Sequence, residues 1–495
     1  MPISSLPSPY GIGSLGKAAY TFVDFLAAAG QHYWQMLPIG PTGYGDSPYQ
    51  SFSAFAANPY FIDLDLLVAD GLLTQQEVNA ADFGSDPAGI DYYKLYKNRK
   101  PLLEKAVKRF DRATGGFADF AASKADWLPD YALFMALKAE NGMRALSFWP
   151  QAVRRREAPA MAAACMRLKD QVRFWEVVQY LFYAQWTQLK RYANEHGVEL
   201  IGDIPIYVSP DSSDLWADPS LFQVGADGAL TEVAGCPPDA FSADGQLWGN
   251  PLYDWPHHLK TGCAWWVRRM QHASSVYDVV RIDHFRGFES YYAIPAADTT
   301  AVNGTWRKGP GDEFVNTLKA KLPGVRIIAE DLGYMTDGVR RLLKNSGFPG
   351  MKVLQFAFDS REESDYLPHN YTQNSVVYTG THDNTTMEDW QYSAPEADVA
   401  FCKKYLDIVP GRPFTRTCVR AALESVSDTC VIPLADWLAL GKEARINTPS
   451  TLGGNWLWRV SAAQMTAALA AEIAALTKMY GRLVEEPKPA AQLPL

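Results

Sequence analysis

Short apolar runs alternate with longer helical patterns over the second half of the chain, and polar residues follow most of the runs. A continuous apolar run of about four to eight residues is typical of a strand that is buried in a parallel sheet. With one strand at the N-terminus and one at residues 33–37, the pattern predicts eight strands. Eight strands with intervening helices predict an α/β fold, a (β/α)₈ or TIM barrel, with its active site at the carboxyl ends of the strands. The other six strands are residues 198–204, 279–282, 325–329, 351–358, 375–379 and 429–434.

Two long stretches interrupt this alternation, and we interpret the rest of residues 1–495 as a single catalytic barrel. Residues 65–170 have a helical pattern that is longer than a normal connection, which predicts an inserted helical subdomain. Residues 223–255 are so rich in glycine and proline that we expect an irregular lid loop over the barrel mouth, or else an ordinary connection. The proline-rich residues 485–495 predict a flexible tail.

A glycine pattern near the N-terminus, G-x-G-x-x-G at residues 11–16, matches the dinucleotide-binding fingerprint. That fingerprint requires a strand before it and an acidic residue about twenty positions later. Here a loop sequence rich in serine and proline comes before, and Met36 stands twenty residues after Gly16. We therefore expect no nicotinamide cofactor.

Arg281 and Asp283 lie at the end of one predicted strand. Residues two apart in a strand project to the same face, so the two side chains are expected to share one space. A nearby cation favours the ionised carboxylate, which is what a carboxylate nucleophile needs. A purely structural ion pair is the alternative, and the position at a barrel strand end favours catalysis.

Two further acids follow other predicted strands. Glu330 precedes Asp331, and adjacent residues in an extended chain face opposite ways, so one acid can face the mouth while the other supports it. A glutamic acid in a partly apolar pocket has a raised pKa and suits a general acid. Asp383 follows His382, and this pair lacks further clustered ligands, which argues against a metal site. A pair of Asp and Glu carboxyls is the requirement for cleaving a glycosidic bond.

Composition narrows the possible partners. The net charge of -9 and the pI near 5.5 argue against nucleic acid and anionic membranes, which attract basic clusters. The six cysteines form no C-x-x-C pair, which favours a reducing compartment. The chain has neither a secretory leader pattern nor an apolar stretch of membrane length, so we predict a cytoplasmic protein.

Three segments resemble signature regions of one enzyme family, the 4-α-glucanotransferases, also called amylomaltases or disproportionating enzymes, of the α-amylase-like clan. They are RIDHFRGF at 281–288, IAEDLG at 328–333 and GTHDN at 380–384. The resemblance extends almost from end to end. Further similar segments are TGYGDSPYQS at 42–51, IGDIPIYV at 201–208, GQLWGNPLYDW at 245–255 and the NTPST and GGNW elements within 447–459.

The resemblance implies a role for each site residue. Asp283 would be the nucleophile, Glu330 the general acid/base, and Asp383 the third carboxylate that binds and distorts the sugar. Arg281 and His382 would hold the nucleophile and the hydroxyl groups of that sugar. Six more residues fall on glucan-contacting positions of the family: Ser47, Tyr49, Asp203, Gln246, Trp248 and Asn455.

The resemblance also implies which substrates the protein uses and whether it requires a cofactor. We expect α-1,4-glucans and maltooligosaccharides as substrates, glucose as an acceptor, and no required cofactor or metal. A hydrolytic α-amylase-like glycosidase and a non-catalytic glucan-binding protein are the alternatives. The chain departs from the family in having fewer apolar residues before residues 2–6, which shortens the first strand, and in carrying Ala435 where glutamine is expected.

Overall fold

The computed structural model describes residues 1–43, 45–113, 116–238 and 243–483. The predicted tail at 485–495 lies outside the described residues. The strands within them are β1 (Tyr33–Gln35), β2 (Glu199–Ile204), β3 (Glu232–Cys236), β4 (Gln246–Pro251), β5 (Val279–Ile282), β6 (Ser290–Pro295), β7 (Thr305–Lys308), β8 (Arg326–Ala329), β9 (Gly350–Val353), β10 (Ser375–Tyr378) and β11 (Thr429–Val431).

The α-helices surround these strands, and a capping box of Thr74 and Glu77 begins one of them. They are α1 (Lys17–Ala28), α2 (Leu64–Ala69), α3 (Gln75–Asn79), α4 (Tyr92–Arg109), α5 (Phe117–Ser123), α6 (Leu128–Glu140), α7 (Gln151–Arg154), α8 (Ala158–Arg167), α9 (Lys169–Glu195), α10 (Ser213–Ala217), α11 (Trp255–Lys260), α12 (Ala264–Val276), α13 (Gly311–Lys321), α14 (Asp337–Ser346), α15 (Met387–Ser393), α16 (Glu396–Tyr405), α17 (Phe414–Glu424), α18 (Leu434–Trp437) and α19 (Ala467–Met479).

The barrel wall consists of parallel strands in chain order. One sheet has the order β1-β2-β5-β8 and a second has β9 and β11 on either side of β10. The backbone N–H of Ala329 donates to the carbonyl of Pro349 at 2.9 Å, which joins the two sheets between β8 and β9. Every residue of β5 and β10 is buried, as expected for strands covered on both faces. The predicted β/α barrel is confirmed, with seven of its strands described here.

The predicted N-terminal strand is wrong for the described residues. Ile3–Ser5 forms a 3₁₀ turn, in which the N–H of Ser5 donates to the carbonyl of Pro2. The barrel wall is therefore open between β11 and β1, where a cavity of about 760 Å³ reaches inward as far as Arg281. The α-amino group of Met1 lies in this opening, and burial lowers its pKa to about 5. The strands predicted at 351–358 and 429–434 also end early, at residues 353 and 431.

Between β1 and β2, the described residues 64–195 contain the helices α2 to α9 and no strand, which fits the predicted pattern. Two buried glutamines of α9 attach it to the chain that follows β1. Gln179 exchanges hydrogen bonds with the backbone of Ala57, and Gln185 does the same with Asp63, at 2.7 to 3.2 Å. These side chains fix the backbone at residues 57 and 63, which follow the segment of Tyr49. The assignment of residues 65–170 as an inserted subdomain stays a prediction.

The segment 223–255 is more regular than its glycine and proline content predicts. β3 and β4 pair antiparallel within a sheet of order β4-β3-β6-β7, and residues 239–242 lie outside the described residues. A side chain at Gly235 would meet the backbone of Gln246 at 2.2 Å, so glycine there permits the two strands to approach. Residues 232–236 and 246–251 are therefore strands and not irregular loop, and the assignment of 223–255 as a lid over the barrel mouth stays a prediction. None of the described helices is long and apolar enough to cross a membrane.

Candidate active site

Charged side chains gather at the carboxyl ends of three neighbouring barrel strands, β2, β5 and β8, and of a fourth, β10, which β9 separates from β8. Asp203 lies near the end of β2, and Arg281 and Asp283 lie at the end of β5. Glu330 follows β8 directly, and His382 with Asp383 follows β10. This is the edge at which a β/α barrel carries its active site, as the strand pattern predicts.

Arg281 is the central cation of this group. Its guanidinium donates to Asp203 Oδ2 at 2.5 Å and lies 3.1 Å from Asp283 Oδ1. The parallel register places Arg281 opposite Asp203, while the two-residue spacing brings Asp283 to the same face. Burial by itself lowers the pKa of Arg281, but the two carboxylates raise it well above its ordinary value. Arg281 therefore stays charged.

The carboxyl of Asp283 is less easily ionised than the sequence suggests. Burial raises its pKa well above the ordinary aspartate value, Arg281 opposes this effect, and the charges of Glu330 and Asp203 reinforce it. Sequence reasoning considered only the arginine and missed the like charges that face Asp283 from other strands.

Glu330 is held by two backbone amides. The N–H of His284 donates to its Oε2 and the N–H of Leu332 donates to its Oε1, both at 2.6 Å. His284 adopts a left-handed backbone conformation, with φ of 54°, to aim that N–H. Burial raises the pKa of Glu330, although Arg281 and these amides oppose the shift. The adjacent Asp331 accepts instead from the N–H of Met351 at 2.7 Å, so the two acids have separate partners as predicted.

Burial raises the pKa of both Asp283 and Glu330, and the charge of Glu330 adds to the shift of Asp283. Arg281 contacts Asp283 directly and so favours the negative charge on that carboxyl. A nucleophile needs that charge on Asp283, and a general acid needs a proton on Glu330.

The third carboxylate is linked to the same network through Tyr49 and His382. The hydroxyl of Tyr49 donates to Asp203 Oδ2 at 2.8 Å, and its ring stacks on His382 with centroids 5.0 Å apart. His382 Nε2 lies 3.3 Å from Asp383 Oδ1. Burial lowers the pKa of His382, and the charge of Asp383 opposes that shift. The side chain of Asp383 remains 48% exposed, facing the open mouth.

One buried oxygen points to a ligand. Asp203 is 2% exposed, yet its Oδ1 has no hydrogen-bond partner among the described residues. A buried carboxylate oxygen without a donor is costly, and a sugar hydroxyl would supply that donor.

Gln246 and Trp248, which the sequence places on the predicted lid, lie on β4. Trp248 Nε1 donates to Gln246 Oε1 at 3.0 Å. The indole also packs edge-on against His284, with centroids 4.8 Å apart. The lid strand therefore contacts the residue whose N–H holds Glu330.

Ser47 and Asn455 have partners inside their own loops. Ser47 Oγ accepts from the N–H of Tyr49 at 3.3 Å. Asn455 Oδ1 accepts from the N–H of Thr448 at 2.9 Å, and its amide donates to Thr451. Both residues brace loops at the mouth, and their contacts with glucan stay predictions.

Sequence reasoning missed two residues that touch the site. Asn447 Nδ2 donates to Asp383 Oδ1 at 2.6 Å, and the ring of Trp456 packs against His382 at 5.9 Å. Both lie in the NTPST and GGNW elements, but nothing in the sequence distinguishes Asn447 from Asn455. Among the described residues, no group of three or more His, Cys, Asp or Glu side chains is arranged to hold a metal ion.

Replacing Arg281 by methionine is expected to lower the free energy of unfolding by about 3 to 5 kcal/mol, because it leaves Asp203 buried without its cation. Chemical denaturation measures the loss. Arg326→Met is the matched control, since Arg326 pairs with Glu199 between strands but its side chain is 47% exposed. Loss of that surface pair should lower the free energy of unfolding by only about 0 to 1 kcal/mol. Equal losses in the two variants would contradict the central role of Arg281.

Replacing Asp283 by asparagine is expected to raise the melting temperature at mildly alkaline pH. A carboxyl whose pKa is raised by folding destabilises the folded state once it ionises, and asparagine removes that cost. The gain should shrink as the pH falls through the raised pKa, and it should vanish below the ordinary aspartate pKa, where both states hold the proton. Thermal melts over this pH range test the sign, with the exposed Asp70→Asn as control. A gain in melting temperature that grows as the pH falls would refute this prediction.

Most of the chain matches one enzyme family. A model of the 4-alpha-glucanotransferase family matches residues 1–466. Relatives named 4-alpha-glucanotransferase from Streptococcus pneumoniae serotype 4 and Thermus thermophilus are 49% and 44% identical, over 98% and 97% of this chain and 97% of each relative. The solved amylomaltase from Streptococcus agalactiae in complex with acarbose has a TM-score of 0.95 at 43% identity, covering 97% of this chain and 98% of that chain. The resemblance indicated by the sequence motifs is confirmed, and the chain belongs to the 4-alpha-glucanotransferase family.

Proposed function

We propose that the chain transfers a segment of an α-1,4-glucan to the 4-hydroxyl of another glucan or of glucose, by double displacement with retention of the anomeric configuration. The observation that carries this proposal is the pair of carboxyls at the barrel mouth, the half-buried Asp283 against Arg281 and the buried Glu330 between two backbone amides. A glycosidase of the retaining type needs such a pair, one to attack and one to give a proton.

The first displacement cleaves the donor glucan. A carboxylate oxygen of Asp283 attacks the anomeric carbon while the glycosidic C–O bond breaks. Glu330 gives its proton to the departing oxygen, so the released chain leaves with a free 4-hydroxyl. The product is a glycosyl ester on Asp283, and Glu330 is left as a carboxylate.

The second displacement reverses these roles. The carboxylate of Glu330 takes the proton from the 4-hydroxyl of an acceptor sugar, whose oxygen attacks the anomeric carbon and releases Asp283. Glu330 is then protonated again for the next cycle. Acid and base assistance of this kind typically contributes about 10²- to 10⁴-fold to the rate.

The surrounding residues bind and distort the sugar that reacts. Asp383 and His382 offer a carboxylate and an imidazole to its hydroxyls at the open side of the site. Asp203 offers its unpartnered Oδ1 from the barrel interior. Hydrogen bonds that strengthen as the ring flattens toward the oxocarbenium-like transition state lower the barrier of both steps.

Transfer prevails over hydrolysis when an acceptor sugar occupies the place that water would take. The lid of residues 223–255 supports this role, since Trp248 packs against His284 beside the general acid. An aromatic ring there excludes water and offers an apolar face to the acceptor. A hydrolase with the same carboxyls and a glucan-binding protein without catalysis are the competing functions.

Incubation with maltotriose separates these functions. Transfer should give glucose and longer oligosaccharides while the number of reducing ends stays constant, because each bond broken is replaced by one formed. Chromatography of the products together with a reducing-end assay follows both quantities. Rising reducing ends would indicate a hydrolase, and unchanged maltotriose would indicate binding alone.

Replacing Glu330 by glutamine should lower turnover of maltotriose by about 10²- to 10⁴-fold. The same variant should still release fluoride in a burst from α-maltotriosyl fluoride, because fluoride leaves without a proton. Asp331→Asn is the matched control, since the neighbouring acid contacts the N–H of Met351 and not the general-acid site. This control variant should keep the wild-type ratio of maltotriose turnover to fluoride release. Equal losses on both substrates in the Glu330 variant would argue against its role as proton donor.

We propose that this reaction takes place in the cytoplasm. Cys165, Cys263, Cys402, Cys418 and Cys430 are free thiols in the structure, and Cys402 and Cys418 are buried. Free thiols fit a reducing compartment, where glucan stores and their breakdown products would be the substrates.

A further inference from the structure

Asp383 differs from the other carboxylates of the site in its exposure. Its side chain is 48% exposed on the turn after β10, so barrel strands do not enclose it. An exposed carboxylate is free to rotate unless neighbouring groups hold it. Two side chains contact its Oδ1, and the amide of Asn447, at 2.6 Å, is closer than His382 Nε2, at 3.3 Å.

The segment around Asn447 also holds the turn that carries Asp383 through hydrogen bonds to the backbone of that turn. The N–H of Asn447 donates to the carbonyl of His382 at 3.1 Å. Arg445 Nη2 donates to the carbonyl of Asp383 at 3.0 Å, and Arg445 Nε donates to the carbonyl of Asn447 at 2.8 Å. The side-chain amide of Asn447 is thus aimed at Asp383 by three further hydrogen bonds.

The same segment is braced internally. The N–H of Trp456 donates to the carbonyl of Ile446 at 2.7 Å, and Asn455 Oδ1 accepts from the N–H of Thr448. Trp456 adopts a left-handed backbone with φ of 65°, which is unusual for a bulky residue and persists only where the surroundings enforce it. Asn447 is therefore presented by a segment that holds its shape before substrate arrives.

We propose that Asn447 is the positioning residue for Asp383: its amide fixes the carboxylate in the orientation that receives the hydroxyls of the reacting sugar. This role rests on the proposed function. A neutral amide suits the task because it orients the carboxylate without cancelling its charge, whereas an arginine would neutralise Asp383 and an aspartate would repel it.

Asn447→Ala tests the proposal in the full-length protein with maltotriose. It should lower kcat by about 10- to 100-fold, as expected for one hydrogen bond to a charged group, while KM changes little, since the contact acts mainly in the transition state. Asn345→Ala is the matched control: Asn345 makes the same kind of contact, at 3.2 Å, to the exposed Asp312 far from the barrel mouth. That variant should keep wild-type kcat and KM.

A double-mutant cycle with Asp383→Ala separates positioning from direct contact with substrate. α-Maltotriosyl fluoride keeps the slow variants measurable. If Asn447 acts through Asp383, adding Asn447→Ala to the Asp383→Ala protein should change kcat by no more than about twofold. The isosteric variant Asn447→Asp should lose at least as much activity as the alanine variant. Because it preserves the volume of the side chain, poor folding does not explain a loss of activity in this variant.

Two results would overturn the proposal. Wild-type kcat in Asn447→Ala would show that Asp383 needs no such support, and an equal loss in the presence and absence of Asp383 would mean that Asn447 binds the sugar itself. Both outcomes are distinct from failure of the proposed function, in which the wild-type protein would transfer no glucan at all.

Discussion

The buried cation at Arg281 is the interaction on which the rest of the site depends. A charge in a barrel interior is tolerated only where partners compensate its lost hydration, and here two carboxylates from two strands do so. The pairing joins β2 to β5 and fixes Asp283 at the mouth. Through Asp203 it also fixes Tyr49, whose ring supports His382. One guanidinium thus sets the geometry of groups that come from distant parts of the chain.

Burial explains both the chemistry of the site and its cost in folding stability. Excluding water raises the pKa of Asp283 and of Glu330, which makes a proton available at Glu330 but also disfavours the charge on Asp283. Arg281 resolves this conflict for one carboxyl, and the amides of His284 and Leu332 orient the other. The site is therefore destabilising in part, as expected where function and folding make opposite demands.

The sequence predicts what depends on local pattern and spacing. Apolar runs locate the seven described barrel strands, and the two-residue spacing of Arg281 and Asp283 predicts their shared face. Adjacent acids at 330 and 331 likewise predict separate environments. These conclusions need only the periodicity of an extended chain.

The sequence fails where an outcome depends on contacts between distant segments. The residues after Met1 lie beside the edge of β1 but close a 3₁₀ turn instead of extending the sheet. Glycines in the lid permit tight strand pairing, although in isolation they indicate a loop. Asn447 and Asn455 stand in similar local sequences, and only the fold determines that Asn447 meets Asp383 while Asn455 braces its own loop. The raised pKa of Asp283 likewise comes from acids on other strands.

The central claim is that Asp283 forms a covalent bond to the sugar, and trapping that bond tests it most directly. The Glu330→Gln protein, mixed with α-maltotriosyl fluoride and quenched rapidly in acid, should accumulate the glycosyl ester because the second displacement lacks its base. Peptide mass spectrometry should then find the peptide that contains Asp283 heavier by one maltotriosyl group. An adduct on another residue, or fluoride release without any adduct, would contradict the account.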